Sequence, residues 1–240
     1  MAARIAVLAD IHANVWALEA VLRDARALGV DGFVNLGDVL YGPLKPRETF
    51  DLLMREPALA TVQGNQDRQL PPEIERELGA KGAGWLRARP PTAVLDGEMF
   101  LCHGAPGDDR VYLLEDVSSG RPAVRSDAAI LELLGGVTQP LVLCGHTHIP
   151  RLVRLSTGQL VLNPGSVGLP AYRDDQPVEH AMETHSPHAS CAIVARNGGQ
   201  WNVCFRRIAY DHDAASRQAR ALGRPDWASS LATGRVESAG

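Results

Sequence analysis

Five short apolar runs in this chain each stop abruptly at a residue suited to holding a metal ion or a phosphate. Arg4-Ile5-Ala6-Val7-Leu8-Ala9 ends at Asp10, and Phe33-Val34-Asn35-Leu36 ends at Gly37-Asp38. Leu59-Ala60-Thr61-Val62 ends at Gly64-Asn65, Glu98 to Cys102 ends at His103-Gly104, and Leu141 to Cys144 ends at Gly145-His146. Runs of this length bounded by glycine read as buried strands. Asn14 to Leu28 places Ala17, Leu18, Val21, Leu22, Ala25 and Leu28 at helical spacing, with Gly29 as a C-cap. Thr49 to Arg55 reads as a second helix. Strand and helix therefore alternate, as in a parallel α/β fold.

Further on, Glu73 to Arg87 reads as a helix and Asp96-Gly97 as a hairpin turn between Ala93–Leu95 and Glu98–Cys102. Ser126 to Leu134 is a helix with Ser126 as N-cap. The remaining signals are mainly β: Arg151–Leu155, Leu160–Leu162, Ala189–Ala195 and Trp201–Arg207, separated by turns at Ser156-Thr157-Gly158 and Asn197-Gly198-Gly199. Asp174 to Pro187 reads as a polar, mobile loop, and Gly234 to Gly240 as a frayed tail.

In open α/β sheets, ligands bind outside the carboxyl ends of the strands. The five strand ends would place Asp10, His12, Asp38, Asn65, His103, His146 and His148 on one rim. Imidazole with carboxylate and amide oxygen is a ligand mixture for divalent transition metals, and the absence of thiolate argues against a structural zinc site. Seven ligands are too many for one ion with an open position. They suit two ions about 3.5–4 Å apart that clamp the attacking and leaving oxygens of a displacement at phosphorus. Alone, Asp10-x-His12 would more often be a turn or cap, Gly37-Asp38 a turn, and His103 a core histidine. Gly145-His146-Thr147-His148 is the sharpest single piece, and the joint pattern decides, because turns and core histidines need not all fall at strand ends.

The formal net charge of −4 argues against an extended nucleic-acid or membrane surface. Bound cations would still let the site take an anionic substrate. The N-terminus lacks the features of a signal peptide, and no apolar stretch nears the ~20 residues of a membrane span, so a cytoplasmic protein is expected. Cys102, Cys144, Cys191 and Cys204 form no C-x-x-C pair and read as buried, reduced thiols.

The ordered set Asp-x-His, Gly-Asp, Gly-Asn-x-Asp, His-Gly and Gly-His-Thr-His resembles the calcineurin-like metallophosphoesterase superfamily from Ile5 to about Tyr210. Tyr41-Gly42-Pro43 and Asn163-Pro164-Gly165-Ser166-Val167-Gly168 look like its small bacterial and archaeal branch, some members of which are described as phosphodiesterases. The resemblance implies a four-layer α/β/β/α sandwich with the metals at the strand ends. It implies a phosphoesterase domain over residues 1–212, followed by a C-terminal helix and tail over 213–240. It further implies that Asp10, His12 and His148 hold one ion, that Asn65, His103 and His146 hold another, and that Asp38 bridges them. The implied cofactors are two divalent ions, Mn²⁺ first, with Fe, Ni or Zn as alternatives, and a hydroxide between them would attack phosphorus. Asp67 matches the motif acid and would steady a histidine.

Two positions depart from the family pattern. Gln66 stands where active members usually have His, and an amide cannot serve as a general acid, though it can donate to a phosphoryl oxygen. Ala13 replaces a common Gly. The expected substrate is a small phosphodiester or phosphoanhydride of nucleotide type; a phosphomonoesterase acting on protein or small molecules and a poorly active interaction module are the alternatives. Arg173 and Tyr172 read either as phosphate- or base-contacting groups or as plain surface side chains. Trp16 is placed at the pocket rim, and Trp85, Trp201 and Trp227 in packing roles. His180, His185 and His188 fall in the polar loop, and His212 on the surface.

Overall fold

The computed structural model describes residues 3–56 and 58–237. Its first half alternates as the apolar runs predict: β1 (Arg4–Leu8), α1 (Val15–Ala27), β2 (Gly32–Asn35), α2 (Pro46–Leu53), β3 (Ala60–Thr61) and α3 (Pro72–Arg87). Asn14 caps α1 by accepting from the Ala17 N–H, and Pro46 opens α2 three residues earlier than Thr49. The helix expected from Glu73 to Arg87 is interrupted at Gly79, whose φ of 66° is not helical.

β4 (Ala93–Leu95) and β5 (Met99–Leu101) form the expected hairpin, and both Asp96 and Gly97 adopt positive φ at its turn. A small ribbon of β6 (Glu115–Asp116) and β7 (Ala123–Val124) precedes α4 (Asp127–Leu134) and then β8 (Leu141–Leu143), β9 (Arg151–Arg154) and β10 (Leu160–Asn163). The segment read as a mobile loop is instead an antiparallel ribbon of β11 (Ala171–Asp174) and β12 (His180–Glu183). Only His180 and Met182 of β12 turn inward, too short an alternation to register against the polar residues around it. A long hairpin, β13 (Ala189–Asn197) and β14 (Gln200–Ile208), follows.

Residues 213–240 were expected to give one helix and a tail, but the chain forms two helices, α5 (His212–Ala221) and α6 (Pro225–Thr233). Residues 234–237 are tied down as well. The Gly234 carbonyl accepts from the His185 N–H, and the Val236 N–H donates to Glu183. Residues 238–240 of the expected frayed tail lie outside the described residues.

Two five-stranded sheets result, ordered β14-β13-β1-β2-β3 and β4-β5-β8-β10-β9. Alternate residues of β1 show why its sequence is apolar throughout. Ile5 and Val7 face the second sheet, where they meet Leu101, Leu141 and Leu143, while Ala6 and Leu8 face Leu18, Val21 and Phe50 of the helical layer. A strand covered on both faces cannot alternate with polar residues. In the same way β8 sends Leu141 and Leu143 between the sheets and Val142 outward against Ile130 and Leu134 of α4. The order helix, sheet, sheet, helix is the four-layer sandwich. Among the described residues no helix is long and apolar enough to cross a membrane.

Candidate metal centre

The parallel pairing of β1 and β2 continues past the strands as a backbone ladder. Asp10, His12 and Ala13 donate to the carbonyls of Gly37, Asp38 and Val39, each at 3.0 Å. The Asn163–Gly168 segment clamps the same turn from the other side: Val167 and Gly168 donate to the carbonyls of Ala9 and Asp10, and Ser166 Oγ donates to Asp10 O at 2.8 Å. Asn163 Nδ2 meanwhile donates to Gly145 O and Thr147 Oγ1. This segment is thus the fastener that joins the Asp10 turn to the Gly145–His148 turn.

The seven residues expected to hold metal converge where these turns meet. Asp10, His12 and His148 form one group and Asp38, His103 and His146 another, with the potential ligand atoms within each group no more than 4.8 Å apart. Asn65 Oδ1 lies 2.9 Å from His103 Nε2 and joins the second group.

Each histidine has one ring nitrogen occupied by a backbone carbonyl. His12 Nδ1 lies 3.1 Å from Tyr41 O, His148 Nδ1 2.6 Å from Leu169 O, His103 Nδ1 2.8 Å from Leu36 O, and His146 Nε2 3.2 Å from Arg110 O. A proton held on that nitrogen leaves the other nitrogen as a lone pair directed into the site, the arrangement metal-ligating histidines use. His12 Nε2 and His148 Nε2 face each other at 3.2 Å, and Asp10 Oδ1 is buried without a hydrogen-bond partner, 3.4 Å from His148 Nε2. Facing lone pairs beside an unpartnered carboxylate oxygen fit a cation. The residues present therefore suit two divalent ions.

The electrostatics agree. Burial and the neighbouring His148 push His12 down to about 4, and burial and His103 do the same to His146. Both rings are neutral at pH 7 and ready to coordinate. Burial pushes the Asp38 carboxyl up, but the charge and hydrogen bond of His103 outweigh it and hold Asp38 below the usual carboxylate range. Burial likewise opposes ionisation of Asp10, and His148 and His103 hold it low. For His103 burial disfavours charge, yet Asp38 raises it to about 10. The carboxylates thus impose a field that demands positive charge at His103 Nε2, a demand a proton or a metal ion answers equally.

The turns are conformationally costly. Six of the eight non-glycine residues with positive φ among the described residues are Asp10, His12, Ala13, Asp38, His146 and His148. Left-handed backbone at non-glycine positions concentrates where function requires it. Gly37, with φ 97°, packs its backbone against Gly64, where an added Cβ would come 2.5 Å from the Gly64 nitrogen.

Asp67, expected to steady a histidine, does something else. It accepts from the N–H groups of Val39 and Gly64 at 2.9 and 3.0 Å, tying the Asp38 turn to the Asn65 turn. It touches no histidine because it lies behind the cluster rather than in it, where burial and Asp38 push it up to about 7. Gln66 donates its backbone N–H to Asp38 Oδ1 at 3.0 Å, and its side chain lines the cleft.

Over the metal groups lies a cleft of about 450 Å³, walled by Tyr41, Tyr172, Arg173, Arg224 and Trp227. Trp227, expected only to pack, stands edge-to-face against His12 with ring centroids 5.6 Å apart. Trp16, placed at the rim, instead lines a separate groove with Tyr210, because its turn of α1 points away from the cleft. Tyr172 donates its hydroxyl toward Tyr112 Oη and the His146 carbonyl. His180 is buried, with Nε2 3.0 Å from Tyr112 Oη, and so braces the ribbon rather than sitting in a mobile loop. His212 is half-buried rather than on the surface. Cys102, Cys144 and Cys191 are buried as expected, but Cys204 is exposed because it faces outward from the edge strand β14. The carbonyls of Leu36, Tyr41, Arg110 and Leu169 escaped the sequence reading entirely, since a backbone oxygen has no side-chain signature.

A four-layer sandwich that gathers two such ligand groups at its strand ends is the architecture of a metal-dependent phosphoester hydrolase. Residues 3–186 match the sequence profile of the calcineurin-like phosphoesterase superfamily domain, and the chain belongs to that family, whose members bind divalent metals. The chain is similar to a metallophosphoesterase from Sphaerobacter thermophilus, with 27% identity, a TM-score of 0.72, and coverage of 98% of this chain and 100% of that one. A hypothetical protein from Pyrococcus horikoshii OT3 shares the fold at 18% identity, with the same TM-score of 0.72 and the same coverage of 98% and 100%. An uncharacterized protein of Methanocaldococcus jannaschii is 28% identical over an alignment of 201 residues that covers 69% of this chain and 76% of that one.

Proposed function

We propose that the protein hydrolyses a small phosphodiester or phosphoanhydride of nucleotide type, using two divalent cations with Mn²⁺ as first choice. The observation that carries this reading is the placement of both ligand groups on one cleft of about 450 Å³ whose far wall is aromatic and guanidinium side chains. A cleft of this size holds a phosphate with substituents on both sides. The β11–β12 ribbon and α6 contribute its walls, which favours a small substrate over a folded protein surface.

Two divalent ions, when bound, would supply an activated water and draw charge from the phosphoryl oxygens. The protein's own part is to hold Asp10 and Asp38 ionised, to hold His12 and His146 neutral, and to fix all four rings by backbone carbonyls. Asp38 lies between the groups: its Oδ2 is 3.4 Å from His103 Nε2, and His12 also helps to hold it ionised. A carboxylate so placed would be shared by two bound ions. Gln66 lines the cleft and stands where family members usually carry the histidine assigned to the leaving oxygen. It orients the phosphoryl group but transfers no proton. Diesters and anhydrides with good leaving groups are therefore the substrates this site handles best.

The test is to strip the purified protein by chelation, reload it with Mn²⁺, and compare bis(4-nitrophenyl) phosphate, 4-nitrophenyl phosphate and nucleoside polyphosphates. The diester and anhydride are expected to show the higher kcat/KM, with no turnover in the stripped protein. Preference for the monoester, or full activity after exhaustive stripping, overturns the reading.

A further inference from the structure

The two ligand groups are supported from different parts of the chain. In the second group, His103 and His146 lean on the carbonyls of Leu36 and Arg110. In the first, His12 and His148 lean on those of Tyr41 and Leu169. Tyr41 and Leu169 both pack into one apolar cluster, whose other members include Ala215 and Ala219 of α5 and Trp227 and Leu231 of α6. These helices lie beyond the residues 3–186 that match the family profile.

Trp227 is the point of contact. It is buried, with its ring 5.6 Å from His12 at an interplanar angle of 83° and 6.4 Å from Tyr41. Its outer edge fits against Gly42, where an added Cβ would come within 2.9 Å of the indole. Arg224 lies over the indole at 5.4 Å and is itself fixed by a two-pronged ion pair with Asp226. The indole therefore restrains both the His12 ring and the Tyr41-Gly42 turn whose carbonyl sets that ring's tautomer. Among the described residues no hydrogen bond or aromatic contact from α5 or α6 reaches the ring of His103, whose partners are Leu36, Asn65, Asp38 and Asp10, or the ring of His146, which the cluster meets only through the Tyr172 hydroxyl on its carbonyl.

We propose that Trp227 is a positioning residue for the cation held by Asp10, His12 and His148, and that α6 touches a ligand ring of the first metal site but none of the second. This inference rests on the two-cation reading above. Partners that orient metal-bound histidines typically account for about 10–100-fold in affinity, and an edge-to-face aromatic contact is directional enough to act in that way.

The experiment measures Mn²⁺ affinity by calorimetry on stripped protein in two backgrounds. His103→Ala keeps every residue of the first group and His12→Ala every residue of the second, and each background serves as its own reference because His103 also acts on Asp10 and His12 on Asp38. Trp227→Ala is expected to weaken Mn²⁺ binding by about 10–100-fold in the first background and to leave it unchanged in the second. Trp227→Phe, which keeps an aromatic edge against His12, restores most of the loss, and Trp227→Leu, which fills the space without an aromatic edge, stands in for the alanine variant if that does not fold. Equal weakening in both backgrounds marks a general packing defect and overturns the inference, as does unchanged binding in both. The parent protein separates the two claims. Fewer than two Mn²⁺ per chain there overturns the two-cation reading and this inference with it. Two per chain with no background-selective effect overturns this inference alone.

Discussion

Gly64 lies against Asp38 so closely that a Cβ at position 64 would overlap the Asp38 carboxylate and backbone nitrogen. Gly64 lies three residues past the end of β3, where the Asn65 turn begins, so the absence of a side chain is what lets two turns bearing candidate ligands share one space. Gly64→Ala is expected to destabilise the fold by about 1–3 kcal/mol through overpacking and to displace Asp38. Metal content and thermal unfolding measured together check this. A variant with normal Tm and two metals per chain would show that the contact has room to relax.

Asp38→Asn removes the charge that both ligand groups share. Loss of a residue that merely supports a ligand costs about 10–100-fold, so loss of this carboxylate is expected to exceed about 100-fold in kcat/KM and to leave fewer than two metals per chain. Elemental analysis beside steady-state kinetics decides it. Two retained metals with near-normal turnover would remove Asp38 from the shared position.

Under the proposed function, Gln66 is expected to make the reaction sensitive to the leaving group. General acid catalysis is worth about 10²–10⁴-fold, and an amide forgoes it. Rates across a series of aryl and alkyl diesters are expected to climb steeply as leaving-group pKa falls. Gln66→His is expected to flatten that slope if the variant keeps its metals. A flat slope in the parent protein, in a step shown to be chemical, would mean that another group donates the proton.

Ala13 is fully buried at φ 56°, a conformation that costs an L-residue roughly 1–2 kcal/mol. Ala13→Gly relieves this while losing one buried methyl, so stability is expected to change by less than about 1 kcal/mol. Ala20→Gly within α1 is expected to cost about 1 kcal/mol or more, since the same change there only adds backbone freedom. Thermal unfolding of the pair is the check. A greater loss at position 13 than at position 20 would show that the methyl's packing outweighs the backbone cost.

The ligand side chains were legible in the sequence because chemistry and strand geometry constrain the same positions: Asp10, Asp38, Asn65, His103 and His146 each follow an apolar run. The layers were legible for a related reason, since Ile5 to Leu8 had to be apolar on both faces. What supports the site was not. Trp227 sits in a short helix whose apolar residues look like ordinary packing, and only the fold brings it to His12, 215 positions away in the chain. The β11–β12 ribbon was hidden because just His180 and Met182 face inward. Asp67 looked like a histidine's partner from its motif, but its distances show that it holds backbone N–H groups.

Strand β1 lies in the interior of its sheet, between β2 and β13, and Ala6 pairs with Ile193. During synthesis, a nascent chain exposes one edge of its first strand until residues 189–197 emerge. The Asp10 turn at the end of that strand also waits for Ser166 and Gly168. The geometry of the candidate metal centre is consequently complete only when segments as far along the chain as residues 163–168 and 189–197 are in place.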